Sequence, residues 1–173
     1  VTLVGVVLAD LGLHLPDFRA PERTFQLLTQ VAGRAGRGAS AGNVIIQSYA
    51  PEHYAVQAAA QQDYDAFYAQ EMVYRRAHGN PPVSRLVRLL FGHGQERQAR
   101  AEAQRMASEL RRAARDWDMG DTDVVGPAPG YPSHVRGAWR WHLFLRGPEP
   151  RTLLDKIKLP PDWAVDVDPA NVV

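Results

Sequence analysis

The residues best suited to chemistry in this chain are two arginines, Arg34 and Arg37, three positions apart in a glycine-rich segment. A guanidinium group is planar and always charged, and its forked donors match phosphate oxygens. Three neighbouring glycines leave room for a close approach of the backbone: Gly33, Gly36 and Gly38. Such a pair can stabilise the charge that develops as a terminal phosphoryl group leaves a nucleotide. The spacing therefore indicates half of a phosphate-binding site.

The alternative is a structural role for the same arginines at the end of a helix. Cations are favourable near a helix C-terminus, and glycine commonly follows the last helical residue. For an isolated Arg-x-x-Arg motif this structural role would be the better interpretation. The residues that precede the motif decide between the two.

The arginines close a longer run in which residues 17–29 lead directly into Gln30. Residues 30–37 fit the pattern Gln-x-x-Gly-Arg-x-Gly-Arg. The whole run closely resembles the motif V to motif VI region of the replication-restart helicases of superfamily 2, the primosomal protein N′ or PriA family. The resemblance implies that four residues face ATP: Gln30, Gly33, Arg34 and Arg37. It implies catalytic roles for the two arginines, and we favour Arg37 as the arginine finger.

Other parts of a nucleotide-driven motor are missing from the sequence. It has no Gly-x-x-x-x-Gly-Lys-Ser/Thr loop and no acidic pair after a strand to hold magnesium. The resemblance implies that ATP and Mg²⁺ bind mainly to the other motor lobe. The sequence also starts with Val1 rather than Met. We therefore expect a C-terminal piece of a larger protein that does not hydrolyse ATP alone, and we assign no catalytic role to Asp10.

Composition is that of a globular protein: 45% of the 173 residues are hydrophobic and the formal net charge is +1. No apolar run is long enough to span a bilayer and no basic-then-apolar leader occurs, so we predict no membrane partner and a cytoplasmic location. Zero cysteines exclude disulfides and thiolate metal sites in these residues. The six histidines lack ligand spacing, so we predict no metal here; the family's zinc module lies upstream of the matched residues.

Residues 1–50 alternate strand and helix patterns. The apolar run at 2–8 predicts a parallel strand buried on both faces, a helix begins at Pro21, and 44–49 predicts a second strand. This order is typical of α/β proteins. With the resemblance, it indicates the end of a RecA-like helicase lobe 2.

Residues 51–82 predict a helical connector. Asp63 is a candidate N-cap, Gly79 a candidate helix end, and the two prolines that follow prevent continuation. For Arg75 and Arg76 we favour a packing helix with a solvated arginine pair.

Residues 83–173 predict an α+β domain of order βαββαβ, the ferredoxin-like split βαβ arrangement. The strands are expected at 85–91, 122–125, 139–146 and 163–167, and the helices at 95–117 and 151–157. In this layout two helices cover one face of a four-stranded antiparallel sheet. The C-terminal domain of the restart helicases has a similar layout, and residues 136–141 and 166–169 resemble its family patterns.

The uncovered sheet face is a candidate DNA-binding surface. The two-residue period of a strand places one set of side chains on that face: Arg88, Arg140, His142, Phe144 and Arg146. We predict DNA contacts from Arg88, Arg140 and Trp139, because arginines beside aromatic rings suit sequence-independent single-strand binding. The alternative is a solvated sheet face: Asp166 and Asp168 fall on one face of the last strand, and residues 83–173 carry 14 basic and 12 acidic residues.

A second candidate DNA contact is the Pro/Gly-rich segment 126–137, which we predict to be a loop between strands. Tyr131, His134 and Arg136 place a ring and cations together in it. The alternative is that this segment only connects two strands. The family resemblance favours DNA contact.

Two classes of function remain open. In the first, the chain belongs to an ATP-dependent 3′–5′ helicase of replication restart and primosome assembly. The resemblance implies three kinds of partner: single-stranded and forked DNA, the single-stranded DNA-binding protein, and other primosome proteins. Arg151, near a helix start, is a candidate acceptor for an acidic partner tail. In the second class, the motor part is degenerate and the protein is a non-catalytic DNA- or protein-binding adaptor.

Overall fold

A computed structural model describes residues 3–35 and 42–172 of the chain. The chain forms two compact units, Val1–Arg75 and Arg76–Val173, each with its own hydrophobic core. Within the described residues, no helix is long and apolar enough to cross a membrane.

The first unit has the predicted order of strand, helix and strand. Its elements are β1 (Leu3–Val6), a 3₁₀ helix (Ala9–His14), α1 (Ala20–Ala35), β2 (Asn43–Ile46), α2 (Tyr54–Gln61) and the larger part of α3 (Tyr64–His78). β1 and β2 are parallel, with Leu3 opposite Asn43 and Val6 opposite Ile46. The prediction that the first strand is buried on both faces is wrong: Leu3 and Ile45 are 57% and 62% exposed on one shared face. No element among the described residues packs on that face.

Apolar residues at helical spacing explain the position of α1. Phe25, Leu28 and Ala32 recur at intervals of three and four, and all are buried. Phe25 stacks on Phe67 of α3, with ring centroids 4.3 Å apart. Before the helix, the carboxylate of Asp17 accepts a hydrogen bond from the backbone N–H of Arg19, as side chains at helix starts do.

The predicted connector is two helices. α2 ends where Gln62 adopts a left-handed conformation, and α3 begins after Asp63, whose carboxylate accepts from the N–H of Ala66 at 2.9 Å. Gly79, at φ 59°, follows the last residue of α3. The predicted cap at Asp63 and the predicted helix end at Gly79 are both confirmed.

The second unit has the predicted βαββαβ order. Its elements are β3 (Arg85–His93), α4 (Glu96–Asp116), β4 (Asp123–Val135), β5 (Ala138–Gly147), α5 (Arg151–Leu154) and β6 (Ala164–Val167). The strands form one antiparallel sheet in the order β4-β5-β3-β6. The first and third strands of the motif are therefore central, as in the split βαβ arrangement, and an α+β domain is confirmed.

One face of this sheet forms the core under α4. The helix inserts Ala99, Ala103, Met106 and Leu110, all fully buried, and the sheet supplies Leu89, Leu143 and Leu145, also fully buried. The predicted alternation along β5 is confirmed, because Leu143 and Leu145 lie in the core while Arg140 and Arg146 lie on the other face.

The segment predicted as a loop at 126–137 is mostly strand, which corrects the prediction. β4 continues to Val135 and pairs with β5 through two register shifts that absorb extra residues. Prolines fit here because β4 is an edge strand, where half of the backbone N–H groups have no strand to pair with. Side chains hold the irregular part: Arg111 donates to the carbonyls of Val124 and Gly126, and a ring nitrogen of His142 contacts the carbonyl of Pro129.

Candidate functional site

The residues that resemble a nucleotide-contacting motif lie on the exposed side of α1. Gln30, Gly33 and Arg34 are all exposed, whereas Leu28, Ala32 and Ala35 on the same helix are buried. Gln30 and Arg34 are four residues apart, so their side chains emerge one helical turn apart on one face. The fold therefore presents an amide and a guanidinium together to solvent.

This face can donate to an anion. The described residues contain no ion pair or hydrogen bond to the Arg34 side chain, so its forked donors are available. At Gly33 an added Cβ would meet nothing within 4 Å, so packing does not explain the glycine there. The bare backbone leaves space beside Arg34. Arg37 and the glycines at 36 and 38 lie outside the described residues, and Arg34 in the last turn of α1 also fits the helix-end alternative.

Asp10 is a structural clip between the 3₁₀ helix and the segment after β2. Its buried carboxylate accepts from the Ser48 hydroxyl at 2.7 Å and from the backbone N–H of Tyr49 at 2.9 Å. The imidazole of His14 lies 3.6 Å from the same carboxylate. Both hydrogen bonds to the Asp10 carboxylate come from within the protein, and they hold the two segments together. The geometry therefore gives Asp10 a structural role.

Acidification is expected to loosen the Asp10 clip. The hydrogen bonds from Ser48 and Tyr49 hold the pKa of the Asp10 carboxyl below its usual value of 3.8. A carboxyl with a lower pKa in the folded state stabilises the fold above its unfolded pKa, and this contribution is lost as pH falls through the folded value. The Tm advantage of the native chain over D10N should therefore shrink between pH 6 and pH 3 in calorimetric scans. A difference that stays constant over that range would contradict the assignment.

A buried ion-pair network braces the base of α1 against α3. Arg75 donates to Glu71 and Glu22, with both N–O distances 2.7 Å, and its guanidinium also lies over the Phe18 ring. The Tyr54 hydroxyl donates to the other oxygen of Glu71, and burial and this hydrogen bond raise the pKa of Tyr54. Arg75 is therefore buried, contrary to the prediction of a solvated pair, whereas Arg76 is exposed. The reason is that Glu71 and Glu22 compensate its charge.

Ion pairs occupy two arginines of the predicted sheet-face platform. Arg88 donates to Asp166, directly opposite it on β6, at 2.9 Å, and its side chain is only 15% exposed. Its Nε and Nη1 have no hydrogen-bond partner among the described residues. Arg146 donates to Asp123 and to the carbonyl of His78. The acidic residues therefore weaken the basic field here, as the sequence indicated for Asp166.

His142 and Arg140, two other residues of that sheet face, differ in charge. It is buried, and its Nε2 lies 3.1 Å from the Pro129 carbonyl, an acceptor, so Nε2 carries the proton. Burial lowers the pKa of His142, so the ring stays neutral near pH 7. Arg140 is half-buried with no ion pair among the described residues. Of the platform arginines, Arg140 is the one whose charge no carboxylate in the described part of the chain offsets.

The aromatic residues of β4 and β5 instead form a cleft on the helix side of the sheet. Its volume is about 610 Å³. Six of the residues that line it are Glu96, Arg100, Tyr131, Pro132, Trp139 and Trp141. Tyr131 is 54% exposed, and the Trp139 and Trp141 side chains lie half-buried against the core. The structure thus brings the predicted pair Tyr131 and Trp139 to one cavity.

Comparison with known proteins decides the family. The family model described as the primosomal protein N C-terminal domain matches residues 76–170, more than half of the chain. The chain belongs to the PriA family of replication restart proteins. Proteins with the name replication restart protein PriA are 40% identical in Bacillus subtilis, 43% in Treponema pallidum and 36% in Synechocystis. These alignments cover 84%, 99% and 99% of this chain.

The chain spans about a fifth to a quarter of the length of these PriA relatives: 18%, 27% and 20%. The family model coincides closely with the second compact unit, which begins at Arg76. The folded unit and the family domain are therefore the same part of the chain.

The other predicted PriA site residues lie at the surface. His134 and Arg136 are exposed beside the cleft, with His134 4.8 Å from the Trp139 ring. Arg151 is the exposed first residue of α5. Arg100 and Trp141 line the cleft but were missed, because the sequence does not show which edge of the sheet α4 faces. Among the described residues no cluster of His, Cys, Asp or Glu could hold a metal ion.

Proposed function

We propose that this chain is the C-terminal part of an ATP-dependent 3′–5′ DNA helicase that acts in replication restart. The observation that carries the proposal is Arg34, which is exposed beside Gln30 on α1 and has no ion pair among the described residues, in a segment similar to helicase motif VI. In this role Arg34 and Arg37 contact the phosphates of ATP held by the other lobe and couple nucleotide state to lobe closure. The name of these relatives, replication restart protein PriA, supports the assignment.

The donors present on α1 fit a nucleotide phosphate. A guanidinium and an amide one turn apart can both donate to phosphate oxygens. Magnesium needs carboxylate ligands, and the buried Asp10 already accepts two hydrogen bonds within the protein. ATP and Mg²⁺ would therefore take most of their contacts from the rest of the longer protein, and zinc belongs to that part too.

The two-stranded sheet of β1 and β2 supports a place in a larger lobe. Parallel sheets are normally covered on both faces, yet Leu3 and Ile45 are exposed on one face here. We propose that residues 1–50 end a RecA-like lobe 2 whose other elements cover this face. Residues 51–82 would connect it to a DNA- and partner-binding domain at 83–173.

DNA and protein partners belong to the same proposal. Single-stranded or forked DNA would contact the second unit through the predicted residues: Arg88, Tyr131, His134, Arg136, Trp139 and Arg140. The pairing of Arg88 with Asp166 makes it the weakest member of this set. Arg151 is proposed to bind an acidic tail of the single-stranded DNA-binding protein or of another primosome protein.

The full-length protein that contains this chain tests the proposal. We expect it to hydrolyse ATP faster when forked DNA is added and to displace a labelled strand in the 3′–5′ direction. Strand displacement is measured by fluorescence dequenching, with a non-hydrolysable ATP analogue as control. Hydrolysis and displacement both absent, with DNA binding retained, would establish the adaptor alternative instead.

A further inference from the structure

A stripe of arginines follows the solvent face of α4 for most of its length. Positions 97, 104, 108, 111 and 115 recur at helical spacing and share one face, with 100 and 112 at its edges. Five of these seven positions are arginine: Arg97, Arg100, Arg111, Arg112 and Arg115. All five are exposed. From Arg97 to Arg115 the helix rises about 27 Å.

Four acidic residues lie on α4, and two of them, Glu96 and Asp116, flank the stripe four positions from Arg100 and Arg112 but form no ion pair among the described residues. Glu102 and Glu109 are turned toward Arg105, which donates to both at 2.7 Å. Both glutamates are half-buried, whereas the arginines of the stripe are exposed. In the described residues Arg97, Arg100, Arg112 and Arg115 make no ion pair, and Arg111 donates only to backbone carbonyls. The five arginines outnumber the two flanking carboxylates, so the stripe has a net positive charge, although the whole chain is near neutral.

The stripe leads into the aromatic cleft. Arg100 belongs to both, because it lines the cavity with Tyr131, Trp139 and Trp141. A row of cations that ends beside the exposed Tyr131 ring combines backbone neutralisation with base stacking, the two interactions by which proteins hold single-stranded nucleic acid. An acidic peptide would need only the cations, so its binding would not explain why aromatic rings lie beside them.

We propose that single-stranded DNA lies along the solvent face of α4, with its phosphates on the arginine stripe and a base stacked in the cleft against Tyr131. This inference rests on the proposed DNA binding of the second unit and specifies its location. It moves the main contact from the sheet face, where Arg88 and Arg146 are paired with carboxylates, to the helix on the opposite side. At a stacked spacing of about 3.4 Å per nucleotide, the stripe accommodates about eight nucleotides.

The test is fluorescence anisotropy of labelled oligonucleotides titrated with the 173-residue chain over a range of salt concentrations. R97Q/R115Q removes the cations at the two ends of the stripe and keeps Arg111, whose side chain donates to carbonyls of β4. Each lost phosphate contact should make the log–log salt slope shallower by about 0.7, so we expect a change of about 1.4. Affinity should also rise with oligonucleotide length up to about eight nucleotides and then level off.

The matched control is R85Q/R105Q, which removes the same charge from arginines that already face carboxylates. Its salt slope should stay within error of the native value. R136Q/R140Q tests the alternative that DNA binds to the sheet face, through Arg140, and to the turn between β4 and β5, through Arg136. If R136Q/R140Q changes the slope and R97Q/R115Q does not, DNA binding by this unit stands and the α4 location is overturned. If the native chain binds no oligonucleotide even at low salt, the proposed DNA binding itself fails.

Three further variants do not depend on the stability of the double mutant. E96Q removes the carboxylate that lines the cleft, so DNA should bind more tightly. Y131A should weaken binding to an ordinary strand while leaving binding to an abasic strand unchanged, and Y131F should behave like the native chain. Equal effects of Y131A on both strands would overturn the stacking part. Equal binding of a polyglutamate peptide and DNA, with the same salt slope, would assign the stripe to an acidic protein partner instead.

Discussion

Replacement of Arg37 by alanine in the full-length protein is expected to lower the kcat of DNA-stimulated ATP hydrolysis by about 10³-fold. An arginine that stabilises charge on the transferring phosphoryl group acts mainly in the transition state, and arginine fingers contribute factors of this size. R37K should lose most of the activity as well, because an ammonium group lacks the planar fork. Steady-state phosphate release, measured at saturating ATP and DNA, gives the result.

Arg34 and Arg76 provide the comparison for Arg37. R34A should also lower turnover, because Arg34 is exposed beside Gln30 with no competing partner among the described residues. R76A removes one exposed cation outside the motif and should leave kcat unchanged. DNA affinity should stay within about twofold in all of these variants. Unchanged hydrolysis in R37A would remove the finger role and leave the helix-end interpretation of the arginine pair.

Replacement of Arg75 by alanine is expected to destabilise the first unit by about 3 kcal/mol or more. The substitution leaves Glu71 buried without its cation, and breaking a buried pair from one side typically costs this much. The backbone amides of α1 should then exchange faster with solvent, because Arg75 also binds Glu22 in the first turn of α1. Hydrogen exchange measured by mass spectrometry on peptides from α1 and α3 reports this change.

The double variant R75M/E71L is the control for this prediction. It replaces both buried charges with apolar groups, so it should be less destabilised than R75A, although the Tyr54 hydroxyl loses its acceptor and Glu22 loses its cation. All four tryptophans of the chain lie at or after residue 117, in the second unit, so tryptophan emission should be unchanged in both variants. Equal protection of α1 in R75A and the native chain would show that the network does not support the motif helix.

The order of elements and the exposed face of α1 were predictable because they depend on local signals. Helical spacing of Phe25, Leu28 and Ala32 places the motif residues on the opposite side of α1 without knowledge of its neighbours. The same holds for the cap at Asp63 and for the two-residue period of β5. The roles of Gln30, Arg34 and Arg37 stay predictions, as do the proposed DNA-contacting residues.

The unpredicted features depend on pairing between distant residues. Arg88 is paired with Asp166, which lies 78 positions away in the sequence, so its charge is compensated. Arg75 is buried because Glu22, 53 positions away, compensates its charge. The extension of β4 through a proline-rich segment depends on its edge position and on Arg111 and His142, which hold its carbonyls. The sequence indicated that Asp166 weakens the basic field of the sheet face, but the residue types do not show that Arg88 is its partner or that Glu22 is the partner of Arg75.

By itself, the sequence determined which side of α1 carries Gln30 and Arg34, the strand-helix-strand order of the first unit and the βαββαβ order of the second unit, because residue periodicity and turn residues act over a few positions. Only the tertiary structure decided which charges are free. Carboxylates opposite Arg88 and Arg146 compensate the sheet face, while the stripe arginines of α4 form no ion pair within the described residues and Arg100 joins them to the aromatic cleft. Charge compensation depends on distances across strands and helices, so it is a property of the folded chain.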